Sequence, residues 1–86
     1  MPDYSIVFTR SARKELEALP ASTVQRILPK IEALARNPRP SGCKKLKGSD
    51  DLWRIRSGGH RVIYSIVDKI VYVEIIAIRH RSQAYD

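Results

Sequence analysis

Apolar and polar residues alternate in two short runs either side of Gly58-Gly59, Trp53-Arg54-Ile55-Arg56 and Val62-Ile63-Tyr64-Ser65-Ile66. A two-residue Gly-Gly loop between alternating runs predicts a tight β-hairpin, because primed turns need φ > 0. With that loop the register follows: Ser57 faces His60, Arg56 faces Arg61, Ile55 faces Val62, Arg54 faces Ile63 and Trp53 faces Tyr64. Strand side chains alternate between faces. One face therefore carries Trp53, Ile55, Val62, Tyr64 and Ile66, and the other Arg54, Arg56 and Arg61. A one-residue slip would bury the arginines, which disfavours it.

Elsewhere the periods differ. Asp3 to Phe8 reads as a strand with Tyr4, Ile6 and Phe8 on one face. Thr9 is placed to cap a helix over about Ser11 to Leu19, with Ala12, Leu16 and Leu19 at helical spacing. Pro20 suits the first turn of a second helix. Val24, Ile27, Leu28, Ile31, Leu34 and Ala35 give that helix an apolar stripe to about Arg36, interrupted by a kink at Pro29. The short connection implies a helical hairpin. Asn37 to Gly42 is a loop, too short for a domain linker. After a turn at Asp68-Lys69, Ile70 to Ile78 is almost continuously apolar, as in a strand covered on both faces. The order β-α-α-β-β-β predicts an α+β fold, with the helical hairpin packed on a largely antiparallel four-stranded sheet.

Eighty-six residues make a single small domain with one modest core. Sixteen Lys and Arg against nine Asp and Glu leave a net charge of +7. Such a balance favours nucleic acid, an anionic membrane surface or an acidic protein as partner. Six of the cations (Lys44, Lys45, Lys47, Arg54, Arg56 and Arg61) fall within residues 44–64. Like charges opposite each other destabilise a sheet, so three arginines on one hairpin face point to an anionic partner rather than to an ordinary solvated face. Cys43 is the one cysteine, with no acid or histidine beside it in sequence. It excludes an internal disulfide and fits a reducing compartment. No stretch has the length of a signal peptide or a membrane span, so a cytoplasmic protein is expected, without membrane contact. No metal-ligand spacing, glycine-rich phosphate loop or repeat is present, and neither metal nor cofactor is expected.

If the last strand pairs with its predecessor, Arg79 comes near Gly58. Arg54, Arg56, Arg61, His80, Arg81 and Tyr85 then gather around one concave face. Such a set can cleave RNA. The 2′-OH attacks the adjacent phosphorus, a base takes its proton, an acid protonates the leaving 5′-oxygen, and arginines hold the extra charge in planar bidentate geometry. Each residue also has a plainer reading. Arg54 and Arg56 can bind a partner's acidic residues, Arg61 can pair with Glu74, His80 can be a turn residue, and Tyr85 can cover a sheet edge. His60, beside the turn, reads as solvated.

Leu46-Lys47-Gly48, Trp53-Arg54-Ile55-Arg56, Gly59-His60-Arg61-Val62-Ile63-Tyr64, Ile78-Arg79-His80-Arg81 and Tyr85 together resemble the RelE/ParE superfamily of toxins, over essentially the whole chain. The resemblance implies a toxin that cleaves mRNA in the ribosomal A site and is neutralised by a cognate antitoxin wrapped around it, the pair binding operator DNA as a complex. It implies roles on RNA for Arg54, Arg56, Arg61, Arg81 and Tyr85, with Arg79 as second candidate for the arginine after the last strand. Lys44, Lys45, Lys47 and Arg79 are expected to bind substrate. The type member carries lysines where this chain has Arg54 and Arg56, and arginine does not deprotonate. His80 is therefore the first candidate for the base. A ParE-like gyrase inhibitor without nuclease chemistry is the alternative, and an inactive antitoxin- or operator-binding module a third. The antitoxin should carry an acidic segment and bind less tightly at high salt.

Overall fold

The computed structural model describes residues 3–48 and 51–80. In chain order these residues form β1 (Ser5–Phe8), α1 (Arg10–Glu17), α2 (Ala21–Ala33), β2 (Lys44–Lys45), β3 (Leu52–Ser57), β4 (His60–Val67) and β5 (Tyr72–His80). They make one five-stranded sheet in the order β1-β5-β4-β3-β2. The α+β fold is as expected, with one strand more. The two-residue β2 pairs antiparallel with β3, Lys44 opposite Arg54 and Lys45 opposite Trp53. β1 joins the sheet parallel to β5.

Local chemistry sets the element ends. The Thr9 hydroxyl accepts from the Ala12 N–H at 3.0 Å and caps α1. α2 begins directly after Pro20 and carries Pro29 within it. The turn after β4 is longer than two residues, with Val71 at φ 56° and Ile70 65% exposed, so β5 starts at Tyr72 and runs on to His80. Arg79 and His80 thus stand on a strand.

The hairpin register is the predicted one at every pair from Trp53–Tyr64 to Ser57–His60. Ile55, Val62, Tyr64 and Ile66 pack with Val73 and Ile75 of β5 against Ala12 of α1 and Ile27, Ile31 and Leu34 around α2. Burial of each large aliphatic side chain here contributes about 1.5–3 kcal/mol. Both helices therefore lie on one face of the sheet, called here the helix face. The Tyr64 hydroxyl, inside this core, donates to the Pro38 carbonyl at 2.7 Å and ties down the loop after α2. Burial first, and Cys43 second, push its pKa far up, so it stays protonated as a donor.

The pairing of β4 with β5 shifts between Ile63 and Tyr64. Ile63 faces Ala77 and Tyr64 faces Ile75, so Ile76 is an extra residue in β5. Simple alternation puts Ile78 opposite the face of Val73 and Ile75. The bulge instead puts all three on the helix face, each buried.

Candidate functional site

The ladder places cations side by side on the other, open face. Arg56 of β3 faces Arg61 of β4, and Arg61 faces Arg79 of β5, so three arginines form one row across three adjacent strands. In a neighbouring row Lys44 faces Arg54, which faces Ile63. Neighbouring strands lie about 4.8 Å apart, so the three arginines rise side by side from one stretch of the open face. Arg56 and Arg79 are exposed, while Arg54 and Arg61 are half-buried. Repulsion along such a row costs stability.

Glu15 of α1 holds the end of this row. β1 stops at Phe8, opposite Ile75, and leaves the rest of the β5 edge for α1 to cover. The Thr9 hydroxyl donates to the Ile76 carbonyl at 3.1 Å. Glu15 Oε1 accepts from the Ile78 N–H at 2.9 Å, and its Oε2 lies 3.1 Å from Arg79 Nε. One carboxylate thus satisfies a strand edge and fixes a guanidinium through its Nε. Arg61 faces arginines rather than Glu74, whose partner on β4 is Ser65. The reading of Arg61 as a partner for Glu74 is therefore corrected.

The histidines stand apart from the row. His60 faces Ser57 and His80, on the helix face. The two rings meet edge to face, 4.9 Å between centroids. The expectation that His80 gathers with the arginines on one face is therefore corrected: the bulge at Ile76 reverses the alternation and turns His80 to the helix side. His60, read from sequence as a solvated turn residue, is half-buried. It shares a 230 Å³ cavity at the hairpin tip with Arg56, Arg61 and the two glycines. His60 also shares a 430 Å³ cleft beside α1 with His80, Arg79 and Glu15. Desolvation, then the neighbouring His80, then Arg26 hold its pKa below the ordinary 6.5, so it is neutral near pH 7 and able to accept a proton.

Of the expected lysines, Lys44 shares the arginine face, Lys45 points to the helix face opposite Trp53, and Lys47 lies in the turn after β2. All three are exposed. Arg81 and Tyr85 lie outside the described residues. Among the described residues no three His, Cys, Asp or Glu side chains form a group that could hold a metal. No helix of the described residues is long and apolar enough to cross a membrane.

Glu15 is a functional candidate that the sequence hid, and His60 one that it showed without its surroundings. A glutamate on a polar helix face carries no signal of a strand partner 63 residues away. His60 was visible, but its burial depends on helices that the hairpin motif does not contain.

A family model described as the ParE toxin of the type II toxin–antitoxin system, parDE, matches residues 6–85. The mRNA interferase toxin RelE of Escherichia coli K12 is 31% identical over 95% of this chain and 90% of its own length. A chain of the archaeal RelE–RelB complex from Pyrococcus horikoshii OT3 superposes with a TM-score of 0.82 at 31% identity, covering 95% of this chain and 99% of that one. A chain of the intact E. coli RelBE toxin–antitoxin complex gives 0.80 at 28% identity over 96% and 99%. With the match spanning sheet, helices and arginine row alike, the chain belongs to the RelE/ParE superfamily of type II toxins.

Proposed function

We propose that this chain is the toxin of a toxin–antitoxin pair and an mRNA endoribonuclease that cleaves mRNA in the ribosomal A site, silenced by a cognate antitoxin. The row Arg56–Arg61–Arg79 carries this reading. Attack by the ribose 2′-OH forms a new P–O2′ bond and breaks the P–O5′ bond, giving a 2′,3′-cyclic phosphate and a 5′-hydroxyl. The nucleophile belongs to the substrate, so the protein's part is charge stabilisation and proton transfer. The arginine row is suited to the extra negative charge of the transition state. Arg54 and Lys44, one row along, suit the next phosphate.

Arginine cannot act as the base. The His60–His80 pair is the proposed proton acceptor, and His60 is the member whose cavity also contains Arg56 and Arg61. Arg81 and Tyr85 keep their proposed roles on the RNA, Arg81 as a further cation and Tyr85 as a phenol that stacks on a base or serves as acid. Relatives named mRNA interferase and complexes with RelB antitoxins support the reading. The proposed site of action is the cytoplasm, and operator DNA is reached through the antitoxin complex. The antitoxin's acidic segment would neutralise the same cationic face.

The family description names ParE, which favours a second reading, inhibition of DNA gyrase through the same surface. Mapping mRNA ends on translating ribosomes separates the two. A-site cleavage with 5′-hydroxyl ends on the downstream fragments is expected. A DNA-damage response with intact mRNA and continuing translation would replace the first reading by the second.

A further inference from the structure

β2 covers β3 only as far as Arg54, so the edge of β3 beyond it faces α2 and the loop at Pro40–Gly42. A 370 Å³ groove runs along this edge, lined by Lys30, Ala33, Pro40, Gly42, Arg54, Ile55 and Arg56 among others. Ala33, Pro40 and Ile55 give it apolar surface, and Lys30, Arg54 and Arg56 give it positive charge. At Gly42 no atom lies within 4 Å of where a Cβ would sit, so the groove is open on that side. Arg56 also lines the cavity at the hairpin tip and belongs to the arginine row, so groove and row share a wall.

Lys30 Nζ donates to the Arg56 carbonyl at 3.1 Å. That bond occupies an acceptor that an added peptide strand would need, as charged edge residues do in natural sheets. It also fixes the ammonium at the groove while using one of its three N–H donors. A ligand rich in acceptors suits what is left; a β-strand does not. One turn before Lys30 on the same face of α2, Arg26 reaches the hairpin turn, its Nη1 3.1 Å from a Cβ built on Gly58.

We propose that this groove is a flanking-nucleotide subsite. The RNA strand whose reacting phosphate lies on Arg56–Arg61–Arg79 continues past Arg56, places its neighbouring base on Ala33, Pro40 and Ile55, and its phosphate on Lys30. The inference rests on the RNA-cleavage reading and adds a second contact to it.

Lys30→Gln can keep the bond to the Arg56 carbonyl and removes the charge. Ala33→Trp, at an exposed position, fills the groove. Both variants should cleave full-length mRNA on programmed ribosomes several-fold more slowly than the parent chain. On mRNA truncated immediately beside the A-site codon, on one of its two sides, the difference should vanish. Cleavage equal to the parent on every mRNA overturns the subsite, as does a defect that persists on both truncated mRNAs. Loss of antitoxin affinity with RNA cleavage intact also overturns it and makes the groove a peptide seat. Anisotropy of a labelled single-stranded RNA bound to the isolated toxin tests the groove even if the parent cleaves nothing. Lys30→Gln should lower the slope of log affinity against log salt by about 0.7, the value for one phosphate contact on a single strand, and an unchanged slope overturns the proposal.

Discussion

The two ends of the sheet use charge in opposite ways. At the β4–β5 turn, Asp68 takes two hydrogen bonds from Arg39, at 3.0 and 3.4 Å, and one from the Tyr4 hydroxyl at 2.7 Å. The Arg39 guanidinium also lies 5.2 Å from the Trp53 ring centre, a cation–π distance. That end joins β1, the loop after α2 and the β4–β5 turn. At the Gly58-Gly59 end, arginines face arginines across three strands, and the carboxylate on the row, Glu15, lies at its outer edge. One end brings opposite charges together to fix loops. The other accumulates like charge on a strand pair that its core face already holds in register. A sheet can carry such a row because Ile55, Val62 and Tyr64 stabilise the hairpin from beneath.

This contrast sets the order of expected effects. Arg61→Ala or Arg56→Ala should slow single-turnover mRNA cleavage by about 10²–10³-fold, the range for losing one group that stabilises transition-state charge. The urea midpoint of Arg56→Ala should hold or rise, since like-charge repulsion is relieved. A loss of stability in step with activity would make the row structural. Glu15→Ala comes next. It removes the acceptor from the Ile78 N–H and the partner of Arg79, and should cost about 1–3 kcal/mol by urea denaturation. Glu15→Gln can keep the acceptor, so it should recover most of the stability while cleavage stays slow. Equal recovery of both would limit Glu15 to closing the strand edge.

At the other end of the core, Tyr64→Phe should cost about 1 kcal/mol and leave cleavage unchanged. A smaller effect is expected in the pH profile. His60 has a lowered pKa in the folded chain, so its neutral form persists below pH 6.5. The acid limb of the cleavage profile should fall below that value, and removing the His80 ring should move it upward. The same depression means that stability falls as pH drops below 6.5 towards the folded value, because the unfolded chain binds that proton more readily. Smallest is Asp68→Asn. The Arg39 hydrogen bonds first, then that from Tyr4, hold Asp68 below its ordinary 3.8. Its contribution is present near neutrality and lost as pH falls through the folded value. The variant should change neutral stability little and remove that part of the acid sensitivity.

Much of the fold was legible because its decisive signals are local. Gly58-Gly59 fixed the hairpin pairs, Thr9 the start of α1, and the stripe Ile27-Ile31-Leu34 the buried side of α2. The parallel pairing of β1 with β5 was not legible, since residues 5–8 alternate in the same way beside any partner. β2 has two lysines and no apolar pattern of its own. It is a strand because Trp53 and Arg54 offer an edge beside it. The arginine face was legible for Arg54, Arg56 and Arg61, which share the hairpin. The faces of Arg79 and His80 were not, because the apolar run ends at Ile78 and nothing in sequence marks the extra residue that sets their alternation on β5.

The bulge at Ile76 makes the end of β5 a matter of parity. With the 64–75 pairing carried straight on, Arg79 would face His60, and His80 would turn towards the arginines. Regular pairing with Ile76 retained would thus put an imidazole on the open face in place of a guanidinium, whereas deleting Ile76 would close the ladder and leave Arg79 opposite Arg61. For chains that share this sheet, where a bulge takes a residue out of the ladder is thus as much a determinant of chemistry as composition. Two chains with the same tail, one with the extra residue bulged out and the other with it paired, would present different functional groups to the same ligand.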